Sequence, residues 1–308
     1  MRELCYNKTR TKVKSPTNVA ITSDEAFGLS PAGIEEFAMS NCLARSFMGS
    51  ALVCTAVGLL AVDAGETPKP PPGFIAVFNG KNLDGWEGNP KYWHVADGCL
   101  TGVADGKLDY NRFILWRGGK PRNFEVQVKV KVTSGGNSGI QYRSVERPEL
   151  GESVVAGYQC DVVPNRADYN GMLYEERGRR ILAHTGEKVI IDPKGQPWVV
   201  GEFPLKVFKF GEWHDFRVLA EGNHLQHWID GQQTVDVIDL DEKHRRFEGV
   251  FGVQVHKGPP MKIQYRDFFL KTLPDNLPII TAEQAKIPAD AQKVVPQGKD
   301  RPKSPKGQ

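Results

Sequence analysis

The sequence predicts an all-β chain, a β-sandwich or jelly roll of two antiparallel sheets with a long loop insertion. Three observations carry this. About a dozen short segments between Gly73 and Leu273 alternate apolar and polar residues, or stand between turn residues, at the spacing of a sandwich. No stretch of useful length in that span repeats with the helical period. The 308 residues include 32 Gly and 21 Pro, the composition of a turn-rich architecture. An apolar content of 40% is enough for a sizeable core. A net charge of +3 is too small for the clustered basic face of a nucleic-acid binder.

Residues 1–38 have no clear periodicity and read as a mis-called extension, with Met39 the expected start. Residues 39–64 have the parts of a signal peptide: Arg45, the uncharged run Phe47 to Val62, and small residues before a cut after Ala64. That run is shorter than the ~20 apolar residues a membrane-spanning helix needs. The mature chain is therefore expected to be secreted or periplasmic, without a membrane span. Cys54 is a weak lipobox candidate, because Val53 before it is bulky. Cys99 and Cys160 survive the cut, and Cys160 sits at an inward position, so the two are expected to stay unbridged.

Residues 65–72 form a proline-stiffened linker. The domain then runs from 73 to 273. Phe74 to Phe78 is a first strand, and Trp93 to Leu100 a hairpin turning at Asp97-Gly98. Phe113 to Trp116 is a short strand. Asn123 to Val132 alternates Phe and Val with Glu, Gln and Lys, one face for a core and one for water. Ser134 to Arg143 is a Gly-rich turn entering a strand, and Ala156 to Val163 is the next strand. The stretch from there to about Gly201 reads as a long irregular insertion, of the kind that carries function on β scaffolds. Trp213 to Ala220 and His224 to Ile229 pair around Glu221-Gly222-Asn223. Thr234 to Ile238, Gly249 to His256 and Lys262 to Thr272 complete the domain. The tail 274–308, rich in Pro, Lys and Gln, is expected to be disordered.

Period-2 parity on three of these strands gives each an apolar face and an opposite face of glycines and short hydrogen-bonding residues. The polar set is Asn137, Gln141, Arg143, Gln159, Asp161, Gln254 and His256. Planar amides, a carboxylate and a guanidinium suit bidentate binding of vicinal hydroxyls. A merely solvated face would look like Lys129 and Lys131. From the insertion, Tyr174, Glu175, Arg177 and His184 are candidates for the rim. The remaining histidines show no ligand spacing, and no HExxH, paired-Cys zinc pattern, P-loop or Gly-x-Ser-x-Gly elbow is present. No metal or other cofactor is called for, although a divalent ion such as calcium is compatible with the polar face.

Several motifs occur together and in order: FNGKNLDGW (78–86), WHVADGCLTG (93–102), NFEVQVKVKVTSGGNSGIQYR (123–143), GYQCD (157–161), GEWHDFRV (211–218) and FGVQVHKGPPMKIQYRDFFLKTL (251–273). This set resembles the 3-keto-disaccharide hydrolase domain family. The resemblance implies a concanavalin A-like lectin/glucanase jelly roll that binds sugar on a concave sheet, with a carbohydrate or 3-keto-glycoside ligand. The implied reaction cleaves glycosides oxidised to a 3-ketone, whose C2 proton is acidic, by elimination and hydration. That route needs a base, an enolate stabiliser and a proton donor. The candidates are His256 or Asp161 as base, Arg143 as clamp, and Tyr174 or Glu175 as donor. Asn137, Gln141, Gln159, Gln254, His184 and Arg177 would bind substrate. Direct hydrolysis by Asp161 with Glu175 or Glu176 is the competing route. Family members commonly carry Glu where this chain has Gln159, and a non-catalytic carbohydrate-binding module is the alternative function.

Overall fold

The structure is a computed structural model that describes residues 69–296. Its strands in chain order are β1 (Ile75–Ala76), β2 (Trp86–Glu87), β3 (Trp93–Ala96), β4 (Cys99–Ala104), β5 (Arg112–Trp116) and β6 (Phe124–Ser134). Next come β7 (Ser138–Glu146), β8 (Val155–Val162), β9 (Leu173–Glu176), β10 (Arg180–Ala183), β11 (Glu187–Ile191) and β12 (Pro197–Glu202). The last six are β13 (His214–Glu221), β14 (His224–Ile229), β15 (Gln232–Asp239), β16 (Val250–Val255), β17 (Met261–Thr272) and β18 (Gln292–Lys293). The larger sheet has the order β18-β12-β11-β15-β14-β13-β6-β17-β4-β3, with β1 on β17. The smaller has the order β10-β9-β8-β7-β16-β5-β2. Pairing is antiparallel apart from β11 with β15, which run parallel. The fold is therefore the all-β sandwich of two sheets that the sequence predicts.

The alternation in β6 explains the layering. Phe124, Val126, Val128, Val130 and Val132 are all buried and face the same core as Ile140, Tyr142, Tyr158, Cys160, Phe251 and Val253 of the smaller sheet. Burying each such side chain is worth roughly 1.5–3 kcal/mol, so a one-residue slip of β6 would cost on the order of 10 kcal/mol. The expected hairpin tip at Asp97-Gly98 has both residues at positive φ, 53° and 69°, the geometry of a two-residue turn. Cys99 and Cys160 are both buried as free thiols.

Three polar contacts cross the core and tie the site strands to the larger sheet. Tyr158 on β8 donates to Asp239 on β15 at 2.6 Å. Ser138 on β7 and Tyr265 on β17 share a hydrogen bond of 2.6 Å. Tyr142 on β7 meets Nε2 of His227 on β14 at 2.9 Å. Burial lowers the His227 pKa to about 4, so its ring is neutral. With Nδ1 donating to the Gly171 carbonyl at 3.2 Å, Nε2 is left to accept from Tyr142.

Two expectations change. The insertion after β8 is no loop: it holds β9, β10, β11 and β12, short strands that carry no long alternation of their own. The tail, expected to be disordered, packs as far as residue 296. Ile280 exchanges two hydrogen bonds of 2.9 Å with Asn223, and Ala285 is buried among Ile190 and Leu240. The tail then adds β18 to the edge of β12. The proposed extension, the signal peptide and residues 65–68 of the linker lie outside the described residues. Among those described, no helix is long and apolar enough to cross a membrane.

Candidate functional site

The three strands with polar faces are neighbours, in the order β8-β7-β16. Their register aligns Gly139 with Asp161, Gln141 with Gln159, and Gly252 with Gln141. Next to them β9 sets Tyr174 opposite Gln159, and Glu176 shares that face two residues on. His256 follows β16, and Asn111 precedes β5 and accepts from the Lys257 N–H at 2.9 Å. A cavity of about 180 Å³ opens on this outer face of the smaller sheet. Its polar walls are Asn111, Asn137, Gln159, Asp161, Glu176, Arg180 and His256, and its other walls are Tyr169, Met172, Tyr174 and Ile181.

A hydrogen-bonded chain fixes the orientation of Asp161. The Ser144 hydroxyl donates to Gln141 Oε1 at 2.8 Å, Gln141 Nε2 donates to Gln159 Oε1 at 2.5 Å, and Gln159 Nε2 donates to Asp161 Oδ1. Each amide accepts at one end and donates at the other, so the chain has one direction and ends on the carboxyl. Gln159 lies across Gly139, where a Cβ would stand 2.3 Å from the Gln159 Cδ. That close approach explains the glycine.

Burial sets the protonation states. Desolvation pushes the Asp161 pKa up to about 8; the hydrogen bond from Gln159 opposes this and the neighbouring Glu176 charge adds to it. Glu176 is raised as well, mainly by burial, against the pull of Arg177, Asn111 and Arg180. Burial lowers His256, partly offset by the backbone at Lys257. Tyr174 is pushed up to about 12, again by burial first. At neutral pH the cavity thus holds a protonated aspartic acid and a neutral imidazole, a matched acid and base. Two further amides sit on this face with buried unpartnered atoms: Oδ1 of Asn137, and both amide atoms of Gln254. Gln254 lies near enough to Glu176 to favour its charged form without reaching hydrogen-bond geometry.

Of the residues expected here, Asn137, Gln159, Asp161, Tyr174 and His256 line the cavity. Gln141 and Gln254 share the face but are wholly buried, in supporting positions. The other four lie elsewhere. Arg143 is at a β-bulge between Tyr142 and Val145, with φ 47°, and the bulge reverses its parity. Its guanidinium is buried and donates to the carbonyls of Arg122 (2.6 Å), Gly222 (2.7 Å) and Arg246 (3.2 Å). It holds loops together and does not line the cavity. Glu175 pairs with Tyr158, points to the core side, and binds Arg179 at 2.6 Å; of the two glutamates it is Glu176 that lines the cavity. His184 stands behind the cavity, stacked on Tyr169 with ring centroids 5.6 Å apart and bonded through Nε2 to the Val295 carbonyl at 2.9 Å. Arg177 is exposed beside the cavity, 3.9 Å from Glu176.

Sequence reasoning missed Asn111, Arg180, Tyr169, Met172 and Ile181. Parity extended two residues back from Phe113 would have found Asn111, since Phe113 and Leu115 occupy this same outer face. The others come from the insertion, where the unread strands offered no parity to apply. Among the described residues no cluster of three or more His, Cys, Asp or Glu has the form of a metal site.

The fold is a two-sheet β-sandwich, and the outer face of its smaller sheet holds a protonated carboxyl, a neutral imidazole and buried amides. Residues 73–271 match the 3-keto-alpha-glucoside-1,2-lyase-like domain, and the chain belongs to that family. It is 36% identical over 194 residues to the 3-keto-disaccharide hydrolase of Bacteroides thetaiotaomicron, a match covering 58% of this chain and 62% of that protein. Two solved structures from Bacillus subtilis are also similar. A carbohydrate-binding module matches at 15% identity over 65% of this chain and 96% of its own, with TM-score 0.41. A protein of unknown function with a galectin-like fold matches at 13% identity over 62% and 90%, with TM-score 0.43.

Proposed function

We propose that this chain cleaves 3-keto-glycosides by elimination followed by hydration. The observation that carries the reading is one small cavity holding a carboxyl kept protonated, Asp161, and an imidazole kept neutral, His256. The C3 ketone acidifies the C2 proton, and His256 removes it. The C2–H electron pair forms the C1–C2 double bond as the C1–O bond breaks, and Asp161 gives its proton to the leaving oxygen. Tyr174, whose raised pKa keeps its hydroxyl protonated, and Arg180, 5.2 Å over the Tyr174 ring, stand to meet the charge developing on the ketone oxygen. Water then adds across the double bond, returning hydroxyl to C1 and hydrogen to C2. The first half is the lyase step in the family's description, and the sum is the hydrolysis in the relative's name. Gln159 orients Asp161 and has no acid role.

The test is incubation with 3-keto-trehalose in D2O. Release of glucose together with deuterium at C2 of the keto product supports elimination and hydration. Release without deuterium supports direct displacement by Asp161 and Glu176. Binding without any release supports a carbohydrate-binding module, the reading that the amide at Gln159 favours. We further propose that residues 73–273 are the working domain and that 39–64 direct export to the periplasm or beyond; N-terminal sequencing of the exported protein checks the cut after Ala64.

A further inference from the structure

A second cavity formed by the described residues shares walls with the site. It has a volume of about 500 Å³ and shares Arg180 and Ile181 of its lining with the smaller cavity. Gln196 and Pro197 at the start of β12 form another wall, and Val294 and Pro296 of the C-terminal segment line the cavity as well. We infer that this second cavity is the subsite for the leaving-group sugar, and that the C-terminal segment helps to select it; the inference rests on the glycoside-cleaving reading above.

Volume makes the first argument. About 180 Å³ is below the ~300–1,000 Å³ that sites for drug-sized ligands occupy, so the catalytic cavity takes one sugar ring and not two. A glycoside with a sugar leaving group needs adjoining room, and the adjoining cavity supplies it. The walls make the second. Ile181, Pro197, Val294 and Pro296 offer apolar surface for the C–H face of a pyranose, and Gln196 and Arg180 offer polar groups for its hydroxyl edge.

Charge narrows the ligand class. Arg179 in this wall is tied to Glu175 at 2.6 Å, Asp239 at 2.7 Å and Asp241 at 3.3 Å. One guanidinium among three carboxylates has no attraction left for an acidic sugar. The C-terminal wall is held in place, with the Val294 N–H donating to the Pro197 carbonyl at 3.1 Å and β18 paired to β12.

The test uses trehalose and methyl α-glucoside, which lack the 3-ketone and are not turned over, titrated calorimetrically into the full chain. The disaccharide is expected to bind at least tenfold more tightly. Gln196→Trp and Pro296→Trp, which fill the second cavity from two different segments of its lining, should each remove that preference and leave the methyl glucoside affinity unchanged. Equal affinities in the unsubstituted protein, or a preference that survives both substitutions, would overturn the subsite. So would equal weakening of both ligands by both substitutions. Binding of neither sugar overturns site and subsite together. A disaccharide preference without cleavage of any 3-keto-glycoside overturns only the catalytic reading.

Discussion

On the outer face of the larger sheet, β6 presents Glu125, Gln127, Lys129 and Lys131, and these meet their neighbours as solvated groups do. Glu125 pairs with Arg217 and Lys129 with Asp215, each at 2.6 Å and each partly open to water. On the outer face of the smaller sheet, Gln141, Gln159, Asp161 and Gln254 stand at the same period-2 positions, yet all are buried. A polar group costs little in the first setting and several kcal/mol in the second unless it is paired. The difference shows which alternation matters. Parity identifies two polar faces, and burial of polar residues without full pairing singles out the one proposed to do chemistry.

The sharpest way to break this comparison is to remove the acid and the base. His256→Ala and Asp161→Asn should each lower kcat by about 10²–10⁴-fold, measured as glucose released from 3-keto-trehalose. Activity surviving in both would defeat the assignment. With the unsubstituted chain, kcat/KM should describe a bell. It falls above pH about 8 as Asp161 loses its proton, and falls on the acid side as His256 protonates below the ordinary histidine value of 6.5. The residual activity of Asp161→Asn should lack the alkaline limb.

Arg143 comes next. Arg143→Met leaves the carbonyls of Arg122, Gly222 and Arg246 without their donor, and should cost about 3–5 kcal/mol in chemical denaturation. The kcat of the folded fraction should not move. A fall in kcat with stability intact would restore Arg143 to the site.

Asp161 should also cost stability in the folded state. Its folded pKa of about 8 is above the ordinary 3.8, so the folded chain holds a proton that the unfolded chain releases. Stability is then full below pH about 4 and is lost as pH rises through 8. Asp161→Asn should therefore stabilise the protein by a few kcal/mol at pH 8, with the gain vanishing towards pH 4 in thermal melts. A constant gain across that range would mean that Asp161 is ionised throughout. The smallest effect belongs to the solvated face. Lys131→Ala should change stability by no more than ~0.5 kcal/mol and leave kcat unaltered.

The sequence alone was enough for the all-β class, most strand positions, the family, and five of the residues lining the cavity. Alternation is local information, and β6, β8 and β16 alternate cleanly over their length. It failed where geometry is set by a neighbour. The bulge at Arg143 fits against Gly249, where a Cβ would lie 2.4–2.5 Å from the backbone of residues 143 and 144; only the paired strand reveals that crowding. The short strands β9 and β10 are too brief to show a period, so the choice of Glu176 over Glu175 waited for their register against β8.

What the residues by themselves determined is which groups could turn away from the core, because the side-chain period of a strand is intrinsic to the chain. What only the tertiary structure decided is which of those groups share a cavity, how deeply each is buried, and so which holds its proton and which does not. Burial depends on what other segments lay over the sheet, and a carboxyl group becomes a proton donor at neutral pH only when they take it out of water.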